Sequence, residues 1–372
     1  MERHNPYKDS TLVARIRQKP DIGVFDLDNT LTGTPGAQLK AHELINGRGP
    51  LVFNTARETG MVMSSRAYEE SKKYGYRRAA PRLARDPETG RHVYEKPERI
   101  RRFAGHLDPA AIIGFGGGAL LRQPDRGYAY DPALAELLGP DFRSWMYSHL
   151  RTLDVKGDIL GTLSKLEDAA AFSEGITDVE PLYWRFQFHP KDEAHKSDLK
   201  FRIASHLAML GESDSVEFVD ESRPGSPCFY IVPNKGTKEA GADHLLRTAL
   251  GEAGVNPSSA RLTFADDAFT GLRMLDKTLP EASATFVLPG NAPVARHLMS
   301  ASSDYGKPFA GESVGWLLER LQPAGLEGCY RYPMPDGNPD RTFIIADEAV
   351  PGHEAAESIL ALDAKGMLYP QK

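Results

Sequence analysis

Short apolar runs recur along the chain, and several of them end in polar residues. The runs that predict buried strands cover residues 22–25, 51–53, 110–115, 261–265 and 286–288. Segments 37–44, 198–210 and 237–250 have helical composition or an amphipathic pattern and predict helices. Strand, helix and strand therefore alternate with short connections, which predicts an α/β fold built on a parallel sheet.

The middle of the chain follows a different pattern. Residues 183–188 alternate between large apolar and polar side chains, which places Trp184, Phe186 and Phe188 on one face of a strand. Residues 147–153 are predicted as another half-exposed strand. With the amphipathic helix at 198–210, these strands predict a small α+β insert. The predicted division is a first core part at 1–127, the insert at 128–231, a second core part at 232–320 and a C-terminal extension of unknown role at 321–372.

The first apolar run leads directly into Asp26, Asp28 and Thr30. Two carboxylates then crowd the carboxyl end of a buried strand, where open α/β sheets bind their ligands. Because close carboxylates repel each other, a cation or a shared proton has to compensate them. This pattern predicts a functional site. The alternative is an Asx-rich turn that caps the next helix.

Residues 22–33, IGVFDLDNTLTG, resemble the first motif of the haloacid dehalogenase superfamily, an apolar strand followed by DxDxT. The resemblance implies a Rossmann-like, doubly wound parallel sheet. It also implies that Asp26 is a nucleophile, that Asp28 is a general acid and base, and that Mg²⁺ is the cofactor.

Three later segments resemble the other motifs of this superfamily, in the same order. Thr55 matches the second motif, although Ser and Thr are also common as plain helix N-caps. The third motif needs a lysine before a helix, and the Lys-Gly pair at Lys235 favours that residue over Lys238; a surface lysine is the alternative. The fourth motif is matched by an adjacent pair of acids. The implied metal ligands are Asp26, Asp28, Asp266 and Asp267, and the implied catalytic residues are Asp26, Asp28, Thr55 and Lys235.

The position of the insert and its order of elements resemble a C2-type cap of the C2B group, whose members include sucrose-phosphatase-like and trehalose-phosphatase-like enzymes. The predicted substrate contacts are Thr30, Asn54 and Arg57 in the core and Arg185, His189 and Lys191 in the insert. The spacing of His189 and His195 matches no standard zinc motif, so this stretch is interpreted as a polar loop.

The resemblance as a whole implies a magnesium-dependent phosphomonoesterase that cleaves a small phosphorylated metabolite, a sugar phosphate above all, through an aspartyl-phosphate on Asp26. Two alternatives remain open at this level. One is a phosphomutase of the same fold, and the other is a non-catalytic, regulatory protein that binds sugar phosphates.

Composition excludes several other classes of protein. The 372 residues carry a formal net charge of −6, from 45 basic and 51 acidic residues, so the chain lacks the global charge of a nucleic-acid-binding protein. Two cysteines cannot form a disulfide framework. The first residues lack an apolar leader segment, and no window approaches the ~18 apolar residues of a membrane span. We therefore expect a cytoplasmic protein whose partner is a small-molecule phosphate ester, with neither nucleic acid nor membrane; the sequence does not predict its oligomeric state.

Overall fold

The protein is described here by a computed structural model. The residues that the structure describes are 5–27, 30–31, 33–55, 62–74, 83–85, 92–94, 108–114, 118–131, 133, 142–153, 186–188, 190–220, 227–234, 236–267, 269–290 and 320–370.

The strands within these residues form three sheets. In chain order they are β1 (Asp21–Phe25), β2 (Leu51–Thr55), β3 (Leu83–Arg85), β4 (His92–Tyr94), β5 (Ala111–Gly114), β6 (Gly118–Arg122), β7 (Tyr128–Tyr130), β8 (Phe186–Phe188), β9 (Val216–Asp220), β10 (Phe229–Pro233), β11 (Arg261–Ala265), β12 (Ser283–Leu288), β13 (Gln322–Pro323), β14 (Cys329–Tyr332) and β15 (Arg341–Ile345).

The α-helices in the described part of the chain begin with side-chain caps in several cases. In chain order they are α1 (Thr11–Gln18), α2 (Pro35–Arg48), α3 (Ser65–Ser71), α4 (Phe142–Thr152), α5 (Glu193–Met209), α6 (Lys238–Ala253), α7 (Arg273–Lys277), α8 (Ala346–Ala349) and α9 (Ala355–Ala364). Ser10, Thr34 and Thr237 accept hydrogen bonds from backbone N–H groups of the first turns of α1, α2 and α6, which fixes where those helices start.

The main sheet has ten strands in the order β13-β14-β15-β12-β11-β1-β2-β5-β6-β7. The six central strands, from β15 to β5, are parallel, and antiparallel strands extend the sheet on both sides. One row of the register aligns Val24, Phe264, Phe286 and Phe343 across four strands, and all four side chains are buried. A continuous apolar core therefore runs beneath the parallel strands.

Helices cover both faces of this sheet. The crossover from β1 to β2 through α2 runs one way along the sheet, and the crossover from β11 to β12 through α7 runs the other way. Because crossovers between parallel strands of one sheet are right-handed, α2 and α7 lie on opposite faces. Helix α9 packs on α2, whereas α6 packs on α7 and α1 packs on α6. The predicted α/β class with a doubly wound parallel sheet is confirmed.

A separate, smaller sheet belongs to the central part of the chain. Its antiparallel order is β8-β10-β9, and the rings of Phe188 and Phe229 stack at 4.6 Å between centroids. Helix α5 buries Leu199, Ile203 and Leu207 of the predicted apolar stripe, whereas Leu210, the fourth predicted member, follows the helix and is exposed. The boundaries of the predicted insert and its assignment as a C2-type cap stay predictions.

One predicted strand is wrong: residues 147–153 lie largely within helix α4. Met146 and Leu150, four residues apart, are both buried, and Trp145 and His149 lie in edge contact on the same helix. This helical spacing of large side chains outweighs the local alternation of polar and apolar residues.

The C-terminal segment contributes to the main sheet. Strand β15 pairs in parallel with β12, and β14 pairs antiparallel with β15. The segment at 321–372, predicted as an extension of unknown role, therefore supplies strands β13, β14 and β15 of the main sheet. None of the helices in the described part of the chain combines the length and the apolar character of a transmembrane segment.

Candidate active site

The register of the central strands brings two predicted site residues together. Strands β1 and β11 pair in parallel, with Phe25 opposite Ala265. The residue after each strand is an aspartate, so Asp26 and Asp266 leave neighbouring strands at the same level. The Asp26 backbone N–H donates to the Ala265 carbonyl at 2.8 Å, which continues the pairing up to the aspartate itself.

This meeting point is the switch point of the sheet. Going one way from β1 the order is β2 and then β5, and going the other way it is β11 and then β12. Adjacent crossovers leave on opposite faces here, so a crevice opens at the carboxyl ends of β1 and β11. The site therefore lies where a fold of this class binds ligands.

Asp267 completes a cluster of three carboxylates. The three side chains are all buried, and one oxygen from each lies within 4.8 Å of the others. Carboxylate oxygens at such separations suit a hard divalent cation such as Mg²⁺. The donor set thus fits the metal that the sequence predicts.

Lys238 brings a positive charge to the same place. Its Nζ lies 2.8 Å from Oδ2 of Asp266 and 3.6 Å from Oδ1 of Asp26. Lys238 is the first residue of α6, where the helix dipole disfavours a cation, so nearby anions have to offset that effect. The contacts with both aspartates supply this compensation.

Three other predicted residues lie at this end of the sheet and are buried. Thr55 ends β2, next to β1, and Thr30 lies beyond the carboxyl end of β1. The Asn54 amide nitrogen donates to the Lys238 carbonyl at 3.2 Å and to Sδ of Met274 at 3.4 Å. These contacts hold the start of α6 against β2, and the predicted contact of Asn54 with substrate stays a prediction.

Several predicted site residues lie outside the described residues: Asp28, Arg57, Arg185, His189 and Lys235. Lys191 is described and is exposed before α5, where its backbone N–H donates to the His195 ring at 3.1 Å. The roles predicted for all six stay predictions.

An ion-pair group that is largely buried includes Glu239, the residue after Lys238. The Arg273 Nε lies 2.9 Å from Oε1 of Glu239, and its guanidinium also contacts Glu217 of β9. Burial raises the pKa of Glu239, although the charge of Arg273 acts in the opposite direction. Burial lowers the pKa of Arg273, but the two glutamates more than offset it, so the net shift is upward. The guanidinium is therefore a fixed positive charge.

Sequence reasoning considered Lys238 and preferred Lys235, and it did not single out Arg273. A signal for Lys238 was present in the chain, because Thr237 is an N-cap residue and the next position begins the helix. No comparable local signal marked Arg273, whose partners are distant in sequence.

Comparisons with known proteins give structural matches only. No protein family matches the sequence, and no curated protein matches it. The chain is similar to the sucrose-phosphatase of Synechocystis in complex with sucrose and phosphate, with 16% identity, a TM-score of 0.40 and coverage of 76% of this chain and 88% of that one. A haloacid dehalogenase-like hydrolase from B. subtilis matches with 14% identity, a TM-score of 0.34 and coverage of 71% and 89%.

A third match is the IMP-nucleotidase of Plasmodium falciparum, with 10% identity and a TM-score of 0.30. It covers 74% of this chain and 61% of that one. All three matches are at low identity, so the site itself has to carry the functional conclusion.

Proposed function

We propose that this protein is a magnesium-dependent phosphomonoesterase that acts on a small phosphorylated metabolite, with sugar phosphates as the substrate class. The observation that carries the proposal is the buried cluster of Asp26, Asp266 and Asp267 with Lys238 beside it, at the switch point of the sheet. A dianionic phosphate needs positive charge in a site that is otherwise acidic, and an ammonium and a divalent cation supply it.

Asp26 is the proposed nucleophile. Its carboxylate attacks phosphorus in line and forms an aspartyl-phosphate, while the P–O bond to the leaving alcohol breaks; water then hydrolyses this intermediate. Asp28 is the proposed acid that protonates the leaving alkoxide and the base that deprotonates the attacking water. Two steps with moderate barriers thus replace one difficult displacement.

Lys238 and Thr55 are the proposed phosphate contacts. The ammonium next to Asp26 and Asp266 lies where it can offset charge on the transferring phosphoryl oxygens. The first backbone N–H groups of α6 add a partial positive charge in the same region. In this proposal Lys238 has the role that the resemblance to the third motif implies for Lys235.

Asp26, Asp266 and Asp267 are the proposed magnesium ligands, together with Asp28. When bound, Mg²⁺ lowers the repulsion between these carboxylates and the phosphate and orients the phosphate for attack. The choice of sugar phosphates follows from the resemblance of the four motifs and the insert to the C2B-capped group.

The test follows inorganic phosphate release from a panel of sugar phosphates with Mg²⁺. We expect release from the wild type, none from Asp26→Asn and none after removal of the metal with EDTA. Asp9→Asn serves as the control because Asp9 is exposed on the N-terminal segment and is not a member of the cluster.

Each outcome decides between functions. Turnover that persists in Asp26→Asn would refute the nucleophile. Cleavage of a generic aryl phosphate, without phosphate release from any sugar phosphate, would support phosphomonoester hydrolysis and contradict sugar phosphates as the substrate class. Transfer of phosphate between sugar positions without release would identify a mutase, and binding without either reaction would identify a regulatory protein.

A further inference from the structure

We propose that Arg273 is a positioning residue that holds Lys238 against Asp26 and Asp266 and links this lysine to the small sheet of β8, β9 and β10. This inference rests on the proposed function. Arg273 begins α7 and contacts Glu239, the residue directly after Lys238, and Glu217 of β9.

Burial makes these two contacts strongly dependent on each other. Arg273 and Glu239 are only 5% and 4% exposed. A buried guanidinium needs a paired charge, and its planar fork can serve two carboxylates at once. The ion pairs with Glu239 and Glu217 therefore restrict the position of the Arg273 guanidinium, and that of Glu239 with it.

Arg273 connects two segments that border the candidate active site, the start of α6 and the residues before α7. On one side, Glu239 belongs to the first turn of α6, together with Lys238. On the other side, Gly271 packs so closely against Asp266 that an added Cβ would lie 2.5 Å from its Cγ. Asn54 joins the two sides again through the Lys238 carbonyl and Met274, the residue after Arg273. The ammonium and its aspartate partner are thus fixed by one connected group.

The contact with Glu217 gives this group a second role. Glu217 lies on β9, outside the main sheet, so its bond to Arg273 joins the small sheet to the helix beside Asp266. If the small sheet covers the substrate, as the resemblance to capped enzymes implies, this bond sets the distance between the cover and the phosphate site. Loss of Glu217 should then affect substrate binding, whereas loss of Glu239 should affect the chemical step.

The experiment compares Glu239→Gln, Glu217→Gln, Arg273→Gln and Arg273→Lys in the full chain. For Glu239→Gln and Arg273→Gln we expect kcat to fall on the order of tenfold or more, because small misplacements of a catalytic group are costly. For Glu217→Gln we expect KM to rise severalfold while kcat is maintained. Arg273→Lys keeps the charge but not the planar fork of the guanidinium. Compared with Arg273→Gln, it should recover more of the wild-type unfolding temperature than of the wild-type kcat.

A second readout does not need turnover. Acetic anhydride at one fixed pH labels accessible amines, and mass spectrometry reports the labelling of Lys238, whose side chain is 19% exposed. We expect Lys238 to be labelled several times faster in Glu239→Gln and Arg273→Gln than in the wild type. Arg247→Gln is the matched control, because Arg247 lies on the same helix and pairs with Asp243 and Glu281 near the surface.

The two readouts separate the two proposals. If the wild type turns over no phosphate ester, the proposed function fails, while the labelling of Lys238 still decides the role of Arg273. If the wild type is active and both kcat and labelling in Glu239→Gln equal those of Arg247→Gln, the positioning role is overturned. An unchanged KM in Glu217→Gln would overturn the proposed effect of the Glu217 contact on substrate binding.

Discussion

At the residue scale, the candidate site depends on which lysine reaches the aspartates. Lys235 and Lys238 are three positions apart, and both precede the body of a predicted helix. The Lys-Gly pair favoured the first, whereas the second has its ammonium 2.8 Å from Asp266 and 3.6 Å from Asp26. Local sequence does not determine these distances, because they depend on how α6 is placed against β1 and β11.

The two lysines make a direct comparison possible. We expect Lys238→Ala to lower kcat by about two to three orders of magnitude, the usual effect of removing a group that stabilises charge in the transition state. Lys235→Ala should retain most of the activity. Measurement of kcat for both variants, with unfolding temperatures as a check on folding, decides between them. A larger loss of kcat in Lys235→Ala than in Lys238→Ala would support Lys235, the residue that the motif favoured.

His42 is a buried titratable residue apart from the candidate site. It lies on α2, 7% exposed, and its Nε2 has no hydrogen-bond partner within the described part of the chain. Burial lowers its pKa to about 4, and the charges of Arg15 and Arg122 act in the same direction against that of Asp108. The folded protein therefore holds this imidazole neutral.

The stability of the protein should accordingly depend on pH. Because the pKa of His42 is lower in the folded protein than in the unfolded chain, the unfolded chain binds more protons between pH 6.5 and 4, and stability falls as the pH falls through that range. The expected loss is about 3 kcal/mol in the free energy of unfolding.

Urea unfolding at pH 7 and pH 4.5 measures this loss. In His42→Leu, the difference in the free energy of unfolding between the two pH values should shrink by most of this amount. His353→Gln, at an exposed position, should leave that difference unchanged. An equal pH dependence in His42→Leu and the wild type would contradict the assignment.

At the element scale, the ends of strands and the starts of helices place the chemistry. The apolar runs predicted most strands of the parallel sheet, because a strand buried on both faces needs continuous apolar sequence. They also predicted that Asp26 and Asp266 follow strands. The strand predicted at 147–153 was wrong. Its few residues alternate between apolar and polar, but their large side chains also recur at helical spacing, and tertiary packing stabilises helix α4.

Gly271 tests how closely the short segment before α7 has to approach Asp266. An added methyl group would lie 2.5 Å from the Asp266 Cγ, so Gly271→Ala should displace that aspartate and cost about 1–3 kcal/mol of stability. We expect weaker Mg²⁺ binding, measured by calorimetry, together with a lower unfolding temperature.

Gly251→Ala is the matched control for Gly271→Ala. Nothing lies within 4 Å of a Cβ added at Gly251, in the last turn of α6. Alanine there should stabilise the protein by up to about 1 kcal/mol through helix propensity. Equal effects of the two substitutions would show that the approach to Asp266 is not tight.

At the scale of the whole molecule, the C-terminal segment holds the helices near the candidate site. Arg341 lies on β15 and is fully buried, and it donates to the carbonyl groups of Met274, Leu275, Leu279 and Ala282. These carbonyls lie at the end of α7 and in the loop that follows it, where a helix leaves carbonyls without intrahelical donors. Burial lowers the pKa of Arg341 to about 10, so the side chain is still charged at neutral pH.

Removal of Arg341 should therefore destabilise the fold from its C-terminal end. Arg341→Met removes the buried guanidinium bonds to all four carbonyls, and among the described residues only those of Met274 and Leu279 keep a backbone donor, so we expect a loss of about 3 kcal/mol or more in the free energy of unfolding. Arg331→Met on the neighbouring strand breaks exposed contacts, an ion pair with Asp340 and a hydrogen bond to Gln322, so its effect should stay within about 0.5 kcal/mol. Chemical unfolding of both variants measures the difference, and equal losses would contradict the capping role.

The sequence by itself determined the α/β class, most strands of the parallel sheet, and the aspartates at the ends of β1 and β11. These features are local: apolar runs fix strands, and a residue directly after a strand keeps its place at the edge of the sheet. Only the tertiary structure decided that Lys238 reaches both aspartates, that Arg273 joins Glu239 to Glu217, and that the C-terminal strands complete the sheet. Those features depend on contacts between residues far apart in the chain, and no period or motif in a single sequence encodes such distances.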